Sequence, residues 1–325
     1  MQAFSLTTPA DLDAAVASAT TQGSRYIAGG TDLLQLLKDN VETPTNLVDL
    51  EPLELSGITA DDKALRLGSM ARMSDVAAHP EVRQRWPLLS QALLASASPQ
   101  IRNMGTMGGN LLQRTRCGYF RDTGFACNKR APGSGCPAIH GENRMLAILG
   151  ASENCIATHP SDLAVALVAL DATVEVRGQN GGPRSIPIRE FHRIPGDAPH
   201  IETNLAPGDL VTGITVPASP AAVTSAYWKV RDRASFEFAL VSAAVGVELS
   251  DGVVRDARIA AGGVGTKPWR LPEVEAALHG KRLTPDLLVQ AAEKAGEGAR
   301  PASGNGFKLV LLRRTVLRAL QTATA

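Results

Sequence analysis

The stretch from 111 to 155 narrows the folding options of this chain more than any other. Gly, Pro, Arg, Asn and Cys dominate between Cys117 and Pro137, and no helical or strand period runs through them. A loop of that length without elements of its own is uncommon in a compact domain and is usually functional or disordered. All four cysteines of the chain, Cys117, Cys127, Cys136 and Cys155, fall in this stretch. Four thiolates with none spare is the number that closes an iron–sulfur cluster or a structural zinc site, and a metal held by them would order the loop. The spacing C-x9-C-x8-C-x18-C departs from the compact ferredoxin run and does not choose iron over zinc. Two disulfides are the other use of four cysteines, but they serve small secreted domains short of a core. With 44% hydrophobic residues in a chain of 325, that shortage does not arise here.

The length predicts two or three domains. A net charge of +1 gives no support for a nucleic-acid partner or a membrane-surface patch. The opening Met1-Gln2-Ala3-Phe4-Ser5-Leu6 lacks the basic and apolar regions of a signal peptide. No apolar run nears the roughly 18–20 residues that span a bilayer. The chain by itself therefore reads as cytoplasmic, unless a partner carries it across a membrane.

Around the loop the pattern is α/β. Thr8-Pro9-Ala10-Asp11 reads as a helix start with Thr8 as N-cap and Pro9 at N1. Leu12, Ala15, Val16 and Ala19 then recur at helical spacing. Strands at Tyr26-Ile27-Ala28 and 45–50, with a helix through Leu33, Leu34, Leu36 and Leu37 between them, predict a small β-α-β-α-β unit over about 55 residues. A strand at 64–68, helices at 74–78, 87–96 and 162–170, and a strand at 173–176 follow. Pro217-Ala218-Ser219-Pro220 reads as a linker. Strands at 226–230, 239–249 and 254–261, then helices at 271–278, 285–295 and 308–322, predict an α+β C-terminal domain.

Two glycine-rich turns carry the chemistry. Gly29-Gly30-Thr31-Asp32 joins a strand to a helix, where free N–H groups favour a pyrophosphate. Met104-Gly105-Thr106-Met107-Gly108-Gly109-Asn110 gathers glycines, a hydroxyl and an amide again. A lone Gly-Gly-Thr reads as an ordinary β-α turn; the pair points to a dinucleotide gripped from two sides. Neither is a Rossmann fingerprint or a P-loop.

These turns, with Ile101-Arg102-Asn103, Pro160-Ser161-Asp162-Leu163, the segment from Tyr227 to Ser235 and the segment from Gly262 to Arg270, occur in an order that resembles the FAD-binding subunits of the xanthine dehydrogenase family of molybdenum hydroxylases. The likeness covers essentially the whole chain. The insertion carrying the cysteines resembles the one in FAD subunits of periplasmic aldehyde oxidoreductases, and a comparable one exists in the flavin subunit of 4-hydroxybenzoyl-CoA reductase. The resemblance implies an α+β architecture. A PCMH-type, vanillyl-alcohol-oxidase-like FAD-binding domain of two α/β subdomains is expected over 1–218, divided as 1–55 and 56–218, with the insertion at about 114–156. A small α+β domain similar to the CO dehydrogenase flavoprotein C-terminal domain is expected over 221–325.

The resemblance also implies roles. Ile27, Ala28, Gly29, Gly30, Thr31, Asp32 and Leu33 are expected to cradle the FAD pyrophosphate through backbone N–H groups, with Thr106, Gly109 and Asn110 on the other side. Asp162 is expected to accept from sugar or ribityl hydroxyls, or to act as a helix N-cap. Lys229 is expected near the isoalloxazine, the bland alternative being a strand lysine that snorkels to water. Cys117, Cys127, Cys136 and Cys155 are expected to ligate a [4Fe–4S] cluster. Arg114, Arg116, Lys129 and Arg130 offset the cluster charge, dock a partner or are solvated surface, and His159 is a fifth ligand, a flavin contact or a space-filler. No general base is assigned, because in the family that chemistry occurs at molybdenum on a large subunit. The implied partners are that subunit, with molybdopterin cytosine dinucleotide, and a small subunit with two [2Fe–2S] clusters. The implied role is electron transfer to an external acceptor, with export to the periplasm through a signal on a partner. A self-contained FAD oxidase with two disulfides and a zinc-stabilised nucleotide-binding module are the rival readings.

Overall fold

The computed structural model describes residues 1–179 and 182–325. The first unit is a parallel three-stranded sheet in the order β1-β3-β2, with β1 Ser5–Thr7, β2 Ser24–Ile27 and β3 Asn46–Asp49. Helices α1 (Leu12–Ala19) and α2 (Leu33–Lys38) are its crossovers. Ala15, Val16, Val48, Leu50 and Leu53 form its small core. The helix start differs from expectation. Asp11, not Thr8, caps α1, its carboxylate accepting from Ala14 N at 2.8 Å. An Asp three residues ahead of a free first-turn N–H outcompetes the more distant Thr.

The second unit is an antiparallel five-stranded sheet in the order β4-β5-β8-β6-β7. Its strands are β4 Ile58–Ala60, β5 Ala64–Gly68, β6 Thr173–Arg177, β7 Pro183–Pro187 and β8 Leu210–Pro217. Helices α3 (Met73–Ala78), α4 (Pro80–Arg85), α5 (Pro87–Ala95), α6 (Pro99–Met104), α7 (Met107–Leu111), α8 (Gly118–Arg121), α9 (Asp162–Ala169) and α10 (Ile188–Phe191) belong to it. All eight residues of α9 are buried, as befits a helix apolar on every face. Trp86 is fully buried, with Nε1 donating to Pro217 O at 3.1 Å.

The chain crosses to the third unit over Ala218 and Ser219, and Ser219 caps the short helix α11 (Pro220–Val223). The third sheet is antiparallel, β12-β11-β10-β9, with β9 Ser225–Val230, β10 Val241–Ser250, β11 Val253–Gly262 and β12 Trp269–Arg270. Helices α12 (Pro272–Leu278), α13 (Pro285–Ala292) and α14 (Phe307–Ala323) share one apolar core with it. Gly262 lets α9 approach this sheet, since a Cβ there would stand 2.6 Å from Val165 Cγ2. Arg270 Nη1 donates to Val168 O at 2.7 Å and closes the C-terminal end of α9. The second and third units are thus joined through α9, and no helix among the described residues is long and apolar enough to cross a membrane.

The cysteine stretch contains only α8 and a 3-10 turn at Pro137–Ile139. Side chains supply the order that a ladder would otherwise give. Arg130 Nη1 donates to Tyr119 O and Phe120 O at 3.0 and 2.7 Å. Asn128 accepts from Gly135 N at 2.7 Å and donates to Asn154 O at 3.1 Å. The exit of the loop hangs on the C-terminal unit. The fully buried Lys308 ammonium donates to Met145 O, Leu146 O and Gly263 O at 2.9, 3.1 and 2.7 Å.

Candidate functional site

The units enclose a cleft of about 660 Å³, within the range of cofactor sites. Ala28, Gly29, Gly30, Thr31, Asp32, Leu33, Thr106, Gly109, Asn110, Asp162 and Lys229 line it, whereas Ile27 ends β2 and does not. Among the described residues, the N–H groups of Gly29, Gly30, Thr31, Asp32 and Leu33 donate to no acceptor in the chain. Gly30 holds φ at +68°, which turns this run of donors into a concavity for an anion. The two glycine turns touch directly: a Cβ on Gly29 would lie 1.8 Å from Met104 O. Arg72 braces the contact, donating to Met104 O at 2.6 Å and to Glu51 at 2.8 Å. Thr106 Oγ1 accepts from Gly109 N at 3.2 Å and so caps α7. Ser69 Oγ, Arg116 Nε and His159 Nε2, all on residues lining the cleft, are buried without a partner among the described residues. A polar cofactor would satisfy such orphans, so donors, orphans and volume fit FAD.

At the junction with the third unit, Asp162 is 5% exposed and fully engaged. Oδ1 accepts from Tyr227 OH at 2.6 Å, and Oδ2 from Lys229 Nζ at 2.8 Å and Ser96 Oγ at 2.9 Å. Ser161, not Asp162, is the N-cap of α9, accepting from Ala164 N at 2.9 Å. Lys229 does not snorkel. Its side chain is 3% exposed, and its ammonium also donates to Ala95 O at 3.1 Å. The charge expected at this end of the cleft is therefore neutralised by its partner.

All four cysteines are free and line one small cavity with Phe120, Ala138 and Ala157. The disulfide reading fails here. Burial pushes the thiols of Cys117 and Cys136 up and that of Cys155 up to about 11. The Ala157 N–H donates to Cys155 Sγ at 3.5 Å, and nearby backbone amides partly offset the rise at Cys117 and Cys136. Buried thiols that resist ionisation become thiolates when iron supplies the compensating charge. Amides aimed at sulfur tune such a centre. Among the described residues, no three His, Cys, Asp or Glu side chains converge on a single-ion position. The four sulfurs share one small, largely apolar space. His159 does not line this space.

Sequence reasoning missed two arrangements. The loop arginines are not solvated surface: Arg114 pairs with Glu42 and Glu202, Lys129 with Glu202 at 2.9 Å, and Arg116 and Arg121 with Asp32. Their charge pattern was visible, but their partners lie far along the chain. His159 and His192 stack edge-on with ring centroids 4.3 Å apart, lining both the cleft and a small cavity that reaches Cys155. Burial drives His159 well below the usual imidazole range and His192 to about 4, so both are neutral at neutral pH. No local sequence signal marks this pair.

Comparison with known proteins bears on the flavin cleft. Residues 2–219 match the family described as the FAD binding domain in molybdopterin dehydrogenase, and residues 226–323 match the CO dehydrogenase flavoprotein C-terminal domain. The chain is 47% identical over 330 residues to the aldehyde oxidoreductase FAD-binding subunit PaoB of Escherichia coli, covering 100% of this chain and 99% of the relative. It is 30% identical to the glyceraldehyde dehydrogenase medium chain of Sulfolobus acidocaldarius, over 86% of this chain and 82% of that one. Among solved structures, a chain of the carbon monoxide dehydrogenase from Hydrogenophaga pseudoflava aligns with a TM-score of 0.78 at 26% identity, covering 99% of this chain and 98% of that one.

Proposed function

Because the chain belongs to the FAD-binding medium subunits of the molybdenum hydroxylase family, we propose that it carries FAD and a [4Fe–4S] cluster within a heterotrimeric aldehyde oxidoreductase. The observation that carries the cluster is the convergence of Cys117, Cys127, Cys136 and Cys155, all unpaired, on one apolar cavity beside the flavin cleft. The aldehyde reading is supported by the full-length likeness to PaoB. The partners are a large molybdopterin cytosine dinucleotide subunit, which oxidises the aldehyde, and a small subunit with two [2Fe–2S] clusters. The bound flavin supplies electron exchange between those centres and an external acceptor.

This chain's residues bind and orient. The open N–H groups from Gly29 to Leu33 hold the pyrophosphate, and Ser69 and Arg116 turn their unpartnered polar atoms to the cofactor. The neutral Lys229–Asp162 pair closes the far end of the cleft without adding net charge. The four thiolates hold the cluster, and the surrounding apolar side chains exclude water from it. The complex reaches the periplasm by co-export with a signal-bearing partner.

The test is metal and flavin analysis of the complex purified without oxygen. About four irons per copy of this chain are expected beyond those of the small subunit, with one FAD. Cys136→Ser should remove those four. Iron content unmoved by that substitution would show that the ligand set is wrong.

A further inference from the structure

Asp32 sits in the turn whose N–H groups face the cleft, yet its carboxylate is committed elsewhere. Oδ2 accepts from the backbone N–H of Arg114 at 2.7 Å, and Oδ1 from Arg121 at 2.7 Å and Arg116 at 2.8 Å. All three donors come from the entry of the cysteine loop. Arg121 also fixes the path of that entry, donating to Thr115 O at 2.9 Å and Arg114 O at 3.1 Å. Between Cys117 and Arg121 lies Phe120, fully buried under the Arg114 guanidinium at 4.6 Å. It belongs to one apolar cluster with Cys117, Cys127, Cys155 and Leu36 of α2. The cysteine loop therefore grips the phosphate turn at two independent points, one ionic through Asp32 and one apolar through Leu36.

Resting on the function proposed above, we propose that Asp32 is a positioning residue that makes flavin retention depend on the cluster. Ligation of Cys117 fixes the segment from Arg114 to Arg121. That segment fixes Asp32, and Asp32 fixes the N–H groups that meet the pyrophosphate. Linkage requires the reverse as well: bound FAD must protect the cluster.

The experiment uses the intact complex and reads FAD affinity by flavin fluorescence, and iron by metal analysis, in wild type, Cys136→Ser, Asp32→Asn and the double variant. Cys136→Ser is expected to lose iron and weaken FAD about tenfold, within the usual range for coupled sites. Asp32→Asn is expected to weaken FAD similarly while keeping iron, with partial recovery in Asp32→Glu. The double variant is expected to be no worse than the poorer single. FAD removal is expected to lower the chelator concentration that strips half the iron at equilibrium in wild type but not in Asp32→Asn. Where Cys136→Ser does not assemble, chelating iron from the wild-type complex makes the same comparison. FAD affinity unchanged on iron loss, or single effects that multiply, overturns the coupling while leaving the cluster assignment intact. An iron-free wild type overturns both.

Discussion

Lys229→Met tests the seal between the second and third units. The ammonium lies 2.8 Å from Asp162 Oδ2, and the two side chains are 3% and 5% exposed. Without the cation, the carboxylate keeps only two neutral partners, Tyr227 OH at 2.6 Å and Ser96 Oγ at 2.9 Å. Breaking a buried ion pair from one side costs about 3–5 kcal/mol. For a domain of this size each kcal/mol moves the melting temperature by roughly 2–4 °C, so the flavin-loaded complex should melt about 6–20 °C lower. Asp162→Asn should cost a similar amount, because the lysine then retains Ala95 O at 3.1 Å as its charge-free acceptor. Lys229→Met with Asp162→Asn removes both charges, and the amide oxygen still accepts from Tyr227 or Ser96. Its cost should fall far short of the two singles added. Scanning calorimetry of the four proteins reads the cycle. Additive losses would refute the claim that the charges compensate each other.

Gly29→Ala places a methyl 1.8 Å from a backbone oxygen that cannot swing away. Overpacking of about 1–3 kcal/mol should weaken FAD about five- to 150-fold in titrations of deflavinated protein. Gly57→Ala, with nothing within 4 Å of the new carbon, should leave affinity untouched, and equal affinities in the two variants would discredit the contact. Acid should destabilise the protein through the histidine pair. Burial holds His192 at about 4 and His159 also below its ordinary 6.5, so the unfolded chain takes up protons first. Stability present above about pH 6.5 is then lost toward pH 4, by roughly 1.4 kcal/mol per pH unit for each ring. His192→Gln should make the fall of melting temperature with pH shallower over that window, and an unchanged slope would remove burial of His192 as its cause.

What the sequence disclosed followed from how local each signal is. Helix α9 and the three-stranded unit carry their evidence within one short window, as apolar runs bounded by turns. Strand β8 does not. Gly213 interrupts its pattern because a Cβ there would stand 2.9 Å from Leu67 O, and its neighbours β5 and β6 are remote in the chain. The glycine turns were readable because glycine reports backbone geometry directly. The cap of α9 was not: capping is one of the two roles expected of Asp162, whereas Tyr227, Ser96 and Lys229 claim the aspartate and Ser161 caps the helix. Asp32 was assigned to the cradle on its neighbours' backbone. Its carboxylate is spent on arginines more than eighty residues away, the Arg114 N–H lying 82 positions along the chain, and no periodicity encodes such a pairing.

Lys308 of the last helix and Asn305 just ahead of it hold a segment they do not adjoin in sequence. The ammonium and the amide together occupy the carbonyls of Met145, Leu146 and Ala147. The sulfur-bearing insertion is thus moored at both ends, to the first unit at Asp32 and to the last at Lys308. Transplanting it into a relative that lacks it would require moving those two anchor points as well, and trimming the tail of this chain would cast the insertion adrift at its far end.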